Sequence, residues 1–402
     1  MKYEQIQQEN IEMSTERRFL STFTSLFCIT LFAMTANMLS ALAYKIGPDF
    51  GMSEAKFVKW TFSIQFTGFV AMCFLGGSAS DRFGKRASLL VCSLLIALGC
   101  LIWIAAPTLW VLYVGAVIVG MGGGMLESVG CAVLNDLHPT RSKLFMNLSQ
   151  IFYCLGAIGV GFAVGFLSKQ GVGWRWFYGS MGALAVLVAV GFAYSRFPVK
   201  ESETSADTST AWERVLELIP NIWLPTLAIF LYVFGETAVY AFAPTYLKQL
   251  GAGDQAATLS IAVFWGAVVI GRIGCSFLPQ KQTYEPVIGT LFLLSAIAAF
   301  CQNFVTGWGS GLALLALLGL ALSGTWPLIV SMITIRNMKY SGTAAGIAVG
   351  CGALGCVFSP LTLGTIFDKG HPKLAFSLLG GCFVLGLVCI ILTWIREQRR
   401  QR

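Results

Sequence analysis

Residues Met125–Gln150 read MLESVGCAVLNDLHPTRSKLFMNLSQ, and this stretch decides the fold. It begins inside the apolar, glycine-rich run Trp110–Leu134 and ends in a second apolar run that opens with Asn147 and Gln150. A short basic turn joins the two runs. Long apolar runs joined by a short basic turn predict a pair of membrane-spanning helices, because cytoplasmic loops between spans are enriched in Lys and Arg.

Glu127 is a carboxylate inside the first of these two apolar runs. An ionisable side chain at membrane depth costs about 2.5–3.5 kcal/mol on insertion scales. A proton or a polar solute bound there would offset this cost, so we interpret the two helices as the centre of a secondary transporter. The alternative interpretation is a hydrogen-bonded acid that serves helix packing.

The composition assigns most of the chain to the membrane. Of the 402 residues, 56% are hydrophobic and only 11% are charged, whereas soluble proteins have about 25% charged residues. The net charge of +8 does not indicate nucleic-acid binding, because the basic residues are spread over short loops between apolar runs. We expect no enzyme activity, since neither a nucleophile–base pair nor a metal cluster is apparent.

Twelve apolar runs are long enough to span a bilayer, which takes about 20 residues each. About two thirds of the Lys and Arg residues fall in segments on the side of the N-terminus, which places both termini in the cytoplasm. We predict an all-α membrane protein with twelve transmembrane helices in two six-helix bundles, residues 19–197 and 221–395. The polar segment 198–220 is predicted to be a cytoplasmic linker, and residues 1–18 and 396–402 to be cytoplasmic tails.

Three pairs of glycines have small-xxx-small spacing within the predicted spans. They lie at Gly120–Gly124, Gly161–Gly165 and Gly346–Gly350, in spans four, five and eleven. This spacing predicts close helix packing, because small residues let two helix backbones approach each other.

The sharpest local pattern is GSASDRFGKR at Gly77–Arg86, between spans two and three. Its glycines permit a tight turn, and its acid suits a helix N-terminus. Its basic residues can hold the cytoplasmic ends of the two halves together by ionic contacts. The pattern resembles the G-x-x-x-D-R-x-G-R/K-R signature of the major facilitator superfamily, which implies the major facilitator fold and transport by alternating access. The predicted gating residues are Gly77, Asp81, Arg82, Gly84, Lys85 and Arg86, with Arg272 of span eight as a further gating or structural residue.

Spans four, five, seven and eight resemble one branch of that superfamily, the fucose permease-like sugar symporters. The resemblance is carried by LES at Leu126–Ser128, NLSQ at Asn147–Gln150 and FWGAVVIGR at Phe264–Arg272, among other pieces. It implies proton-coupled sugar transport. The chain departs from the branch in span one, where Ala41 stands at the place of that branch's acid, so coupling would use acids of other spans, use another ion or be absent.

A sugar site needs hydrogen-bonding side chains and aromatic platforms within the spans. We predict that Glu127 and Glu236, one in each half, face a common cavity and take up the coupling proton. The predicted substrate-binding residues are Asn37, Gln65, Glu127, Asn147, Gln150, Tyr153, Glu236, Tyr240, Trp265 and Trp326.

No cofactor and no metal site are expected. The 12 cysteines lie in apolar runs without a CxxC pair, and the two histidines are far apart in loops. The expected coupling ion is H⁺, with Na⁺ as the alternative. The expected partners are a sugar-like small molecule and the lipid bilayer, without nucleic acid, and the chain is expected to be a monomer that crosses the plasma (inner) membrane several times.

Three other functions are compatible with this pattern. A proton-coupled drug or metabolite antiporter ranks lower, because such exporters often carry Gly-Pro in span five and Leu155–Gly165 has no proline. A sodium-coupled or uncoupled sugar carrier would use the same fold. A membrane receptor without transport activity would require a signalling domain, for which the linker and tails are short.

Overall fold

The structure is a computed structural model that describes residues 15–138, 142–195, 197, 211–276, 284–337 and 340–401. Within these ranges the chain forms thirteen α-helices and two short 3₁₀ turns. The helices are α1 (Thr15–Asp49), α2 (Glu54–Phe83), α3 (Lys85–Ala105), α4 (Leu109–Leu137), α5 (Ser142–Leu167), α6 (Trp174–Tyr194), α7 (Ala211–Gln249), α8 (Asp254–Ser276), α9 (Tyr284–Cys301), α10 (Trp308–Leu322), α11 (Thr325–Arg336), α12 (Ser341–Asp368) and α13 (Pro372–Gln401).

The prediction of an all-α protein with twelve membrane-length helices is confirmed. Among the described residues, 12 helical stretches are long and apolar enough to cross a membrane. Helices α10 and α11 together form one of them, Trp308–Arg336. This span is interrupted at Ser323 and Gly324.

Several helices continue beyond the apolar runs that predicted them. Helix α7 begins at Ala211, inside the predicted linker 198–220, and α13 reaches Gln401 through the predicted tail. Polar residues at these ends are compatible with helix, and Glu213 in the first turn of α7 favours it by interacting with the helix dipole. Polarity therefore marks where a helix leaves the apolar region rather than where it ends. Residues 198–210 of the predicted linker lie outside the described residues.

The helices divide into two compact units. The first unit comprises Met1–Met38, Ile64–Gly159 and Gly171–Ala206, and the second comprises Leu39–Ser63, Val160–Gln170 and Asp207–Arg402. The boundaries cut through α1, α2 and α5, because segments of these helices pack with the C-terminal half of the chain. The two six-helix bundles therefore stay a prediction from the sequence.

Close packing at Gly120 and Gly124 is confirmed within the first unit. A Cβ atom on Gly120 would overlap the backbone carbonyl of Gln65, and one on Gly124 would overlap the carbonyl of Phe69. Helix α4 therefore approaches the backbone of α2 directly. In the second unit, a Cβ on Gly161 would lie 2.8 Å from the backbone nitrogen of Ala262. The prediction is wrong for Gly346, whose Cβ would meet no described atom within 4 Å.

Replacing Gly124 by alanine is expected to destabilise the protein by about 1–3 kcal/mol, because a backbone carbonyl cannot move aside as a flexible side chain can. Thermal unfolding of the purified protein in detergent measures this loss. Gly159→Ala on α5 is the matched control, because its new methyl group would meet no described atom within 4 Å. A loss of stability in Gly159→Ala as large as that in Gly124→Ala would contradict the packing argument.

Candidate functional site

Two amides of the first unit are buried on α1 and α2. Asn37 is 0% exposed and donates from Nδ2 to the carbonyl oxygen of Ala33, at 2.9 Å in its own helix. Gln65 is 3% exposed, and its Nε2 has no hydrogen-bond partner among the described residues. A buried amide without a partner is costly, so Gln65 has a donor available for a polar ligand.

Helices α4 and α5 carry the other predicted site residues of the first unit. Glu127 on α4 is half-buried, as are Gln150 and Tyr153 on α5. Each of the three takes part in at least one hydrogen bond, ion pair, ring contact or electrostatic interaction. Asn147 lies in α5, and its side chain is outside the described part of the structure.

In the second unit, Glu236 lies on α7 and is half-buried. The hydroxyl of Tyr232, one turn earlier, donates to Oε1 of Glu236 at 2.5 Å. Arg272 on α8 lies close enough to interact electrostatically with the Glu236 carboxylate. A cation and a hydroxyl donor both favour the charged form of a carboxylate, so these two neighbours offset the cost of placing Glu236 in the membrane.

Arg272 also donates a hydrogen bond to the backbone at the break between α10 and α11. Pro327 has no N–H group, so the carbonyl of Ser323, four residues earlier, loses its helical donor. The Nε of Arg272 donates to that carbonyl oxygen at 3.2 Å. Arg272 thus joins the acid of α7 to the break between α10 and α11, and Trp326 lies half-buried directly after that break.

A second proline releases a backbone carbonyl beside Tyr240. Pro244 lies inside α7 and cannot donate to the carbonyl of Tyr240. The hydroxyl of Ser40 on α1 donates to the carbonyl oxygens of Tyr240 and Ala241, at 3.3 and 2.6 Å. Tyr240 therefore lies one turn before a proline within the continuous helix α7, whereas Trp326 lies at a break between two helices. Broken helices mark binding sites in many transporters.

Aromatic rings surround Tyr240. Its ring lies 5.3 Å from that of Trp265 on α8 and 5.9 Å from that of Phe62 on α2. Tyr240 is 4% exposed and Trp265 is 3% exposed. With Glu236 one turn away, α7 and α8 bring three predicted substrate-binding residues into one neighbourhood: an acid and two aromatic rings.

The predicted gating loop is described in part. Gly84 has φ of 85°, a conformation that favours glycine, so the predicted tight turn is confirmed. Arg86 donates to the carbonyl oxygen of Ala193 at the end of α6. The side chains of Asp81 and Arg82 and the surroundings of Gly77 lie outside the described part of the structure. The gating role of these three residues therefore stays a prediction.

Sequence reasoning missed a polar cluster that joins the start of α2 to the end of α7. Glu54 accepts a hydrogen bond from Thr245 at 3.0 Å and forms an ion pair with Lys248 at 3.0 Å. Lys248 also pairs with Asp254 at 2.9 Å and lies 4.1 Å from the ring centroid of Tyr44. We call these five residues the Glu54–Lys248 cluster.

Two further bonds link the same parts of the chain. Lys59 of α2 donates to the hydroxyl of Thr365 on α12 at 2.7 Å, and Ser53 donates to Asp368 at the end of α12. The sequence signal for these contacts is limited to one acid in the first turn of α2 and one in the first turn of α8, where the helix dipole favours a negative charge. That signal predicts a helix start and not a partner.

Comparison with known proteins provides the family. Residues 25–284 match the sequence profile of the family described as Major Facilitator Superfamily. Protein TsgA of Shigella flexneri is 21% identical over 285 residues, which are 70% of this chain and 72% of that protein.

Solved structures share the fold over nearly the whole chain. A D-xylose-proton symporter has a TM-score of 0.76 at 18% identity, covering 94% of this chain and 97% of its own. The nucleoside transporter NupG has a TM-score of 0.75 at 13% identity, covering 93% and 99%. The fucose:proton symporter FucP of E. coli has a TM-score of 0.68 at 19% identity, covering 93% and 98%. At these identities the likeness concerns the fold, and it confirms the predicted fold class.

Proposed function

We infer the function from one premise: the chain belongs to the Major Facilitator Superfamily, whose profile matches about two thirds of its length. Its family and its fold are those of transporters, and it is a multi-pass membrane protein. We propose that it moves a sugar or a sugar-like polar solute across the plasma membrane by alternating access, coupled to protons in symport.

The observation that carries the proposed substrate class is the group formed by Glu236, Tyr240 and Trp265. A sugar has hydroxyl groups, which a carboxylate can accept, and an apolar ring face, which packs on aromatic rings. Tyr240 and Trp265 are in ring contact, and Glu236 lies one helical turn from Tyr240.

The proposed coupling rests on Glu127 and Glu236. Both are half-buried carboxylates in membrane-spanning helices. A proton bound to either acid in one state of the transport cycle and released in the other would link solute movement to the proton gradient. Burial favours the neutral form of Glu236, whereas Arg272 and Tyr232 favour the charged form, so movement of either neighbour would promote uptake of a proton there.

Reconstitution into proteoliposomes tests the proposed function. Radiolabelled hexoses, pentoses and nucleosides are offered with an inward proton gradient, with a sodium gradient or with neither, and a pH-sensitive dye reports the lumen. We expect one sugar-like solute to accumulate with the proton gradient and to acidify the lumen. Lumen alkalinisation on solute entry would instead indicate an antiporter, and accumulation with sodium alone would indicate a sodium-coupled carrier. No uptake of any solute in the panel would contradict the proposed substrate class.

A further inference from the structure

A polar cavity lies in the second unit, where the beginning of α7 meets the ends of α11 and α13. Its volume is about 250 Å³. Six of its lining side chains carry charge or hydrogen-bonding groups: Asn221, Arg336, Asn337, Thr393, Arg396 and Glu397. None of them belongs to the group around Glu236.

An ion pair with Glu285, a residue that does not line the cavity, holds Arg336 in place. Its guanidinium donates to Oε1 of Glu285 at 2.7 Å, and Glu285 is 1% exposed. The other carboxylate oxygen of Glu285 is buried without a hydrogen-bond partner among the described residues. An arginine fixed by a buried acid keeps its remaining N–H donors in a defined place, and Arg336 itself is 29% exposed.

The cavity lies at the depth where lipid headgroups are expected. Arg396 lies over the ring of Trp223, with its guanidinium carbon 5.1 Å from the ring centroid. Trp223 is 43% exposed and Trp394 is 40% exposed, and exposed tryptophans near the ends of membrane helices mark the boundary between hydrocarbon and water. The headgroup of a phospholipid therefore reaches this height without leaving the bilayer.

Hydrogen-bond acceptors lie in the lining beside the two arginines. Glu397 provides a carboxylate. Asn337 uses its Nδ2 to donate to Ile333, which leaves its Oδ1 as an acceptor, and Thr393 uses its hydroxyl proton to donate to Cys389, which leaves oxygen lone pairs. The lining thus combines two guanidinium groups with an acidic and two neutral acceptors. This combination suits a zwitterion rather than a simple anion.

We propose that this cavity binds the headgroup of a phospholipid that carries a primary ammonium group, such as phosphatidylethanolamine. Arg336 and Arg396 bind the phosphate, because planar guanidinium groups match phosphate oxygens. Glu397, Asn337 and Thr393 accept hydrogen bonds from the ammonium group. The volume is below the range of about 300–1,000 Å³ for drug-sized ligands, which suits a headgroup whose acyl chains stay in the bilayer.

Lipid titration of the purified protein in detergent tests the proposal through its thermal stability, because a ligand of the folded protein raises the unfolding temperature. Phosphatidylethanolamine, phosphatidylcholine and phosphatidylglycerol with identical acyl chains are compared with phosphoethanolamine and inorganic phosphate. We expect half-maximal stabilisation at an about tenfold lower concentration of phosphatidylethanolamine than of the other two lipids, since neither choline nor glycerol provides an ammonium N–H donor. Equal stabilisation by the three lipids would overturn the proposal, as would inorganic phosphate acting at the concentrations at which the lipid acts.

Variants at three exposed or half-exposed positions on α13 test separately how the cavity binds the ammonium group and the phosphate group of the lipid. Glu397→Gln is expected to remove the preference for ethanolamine over choline while phosphate binding remains. Arg396→Gln is expected to weaken binding of all three lipids about tenfold. Arg399→Gln is the matched control, because Arg399 is exposed on the same helix and does not line the cavity. The proposal is wrong if Arg399→Gln weakens binding as much as Arg396→Gln, or if Glu397→Gln keeps the full preference for ethanolamine.

Discussion

Replacing Arg272 by glutamine is expected to abolish solute transport and to destabilise the protein by about 1–3 kcal/mol, the cost of leaving a buried polar group without its hydrogen bond. Two losses add up at this position. Glu236 loses the nearby cation that offsets its charge in the membrane. The carbonyl of Ser323 loses the Nε donor that replaces the helical bond excluded by Pro327.

Double variants separate these two losses. Glu236→Gln in the Arg272→Gln background removes the uncompensated acid and is expected to restore part of the stability. Pro327→Ala in the same background provides an N–H group for the Ser323 carbonyl and is expected to restore another part. Thermal unfolding of six proteins in detergent, namely the unmodified protein, the three single variants and the two double variants, gives the coupling energies.

Arg175 provides a matched control for this experiment. Its Nε donates to the carbonyl oxygen of Ile104 at 3.2 Å, the same geometry as in Arg272, but Arg175 is exposed. Arg175→Gln is therefore expected to change stability by less than about 1 kcal/mol. If Arg272→Gln is as mild as Arg175→Gln, or if neither double variant is more stable than Arg272→Gln alone, the role assigned to Arg272 is contradicted.

Charge reversal of Lys248 to glutamate is expected to slow transport about tenfold or more. In the Glu54–Lys248 cluster, Lys248 contacts two acids, Glu54 and Asp254. The reversal turns two attractive pairs into two repulsive ones, and a shift of about 1.4 kcal/mol in the balance between two states changes their ratio tenfold. Glu54 and Lys248 have side chains only 16% and 22% exposed, so solvent screens this pair less than a surface pair.

The reason for an effect on transport is the position of the cluster. It joins the start of α2 to the end of α7, and alternating access requires contacts at one end of the spans to form and break. The double variant Glu54→Lys with Lys248→Glu re-forms an ion pair with the signs exchanged and is expected to recover part of the uptake. Lys169→Glu is the control, since Lys169 is exposed. Normal uptake in Lys248→Glu, or an equal loss in Lys169→Glu, would show that the cluster has no part in the cycle.

The sequence was sufficient for features that depend on local composition. The apolar runs predicted the twelve spans, because the length of an apolar helix is set by the bilayer. The glycine at position 84 predicted a turn, and the spacing of Gly120 and Gly124 predicted a backbone contact. Each of these depends on a few neighbouring residues and on one physical requirement.

Features that depend on pairing between distant residues were not predictable. Glu54 and Lys248 are 194 residues apart, and Arg336 and the buried Glu285, which form an ion pair, are 51 residues apart. Pro327 was visible in the sequence, yet the donor to the carbonyl that it releases comes from another helix. Glu236, Tyr240 and Trp265 were predicted as site residues, but the ring contact between Tyr240 and Trp265 required the structure.

The most direct test of the proposed mechanism compares two kinds of transport in Glu127→Gln and Glu236→Gln proteoliposomes. Accumulation driven by a proton gradient requires coupling, whereas exchange of labelled for unlabelled solute across the membrane requires only binding and the conformational change. We predict that at least one of the two variants loses gradient-driven accumulation while it retains exchange. Accumulation at the level of the unmodified protein in both variants, with unchanged pH dependence, would contradict the claim that these half-buried acids couple protons to the solute.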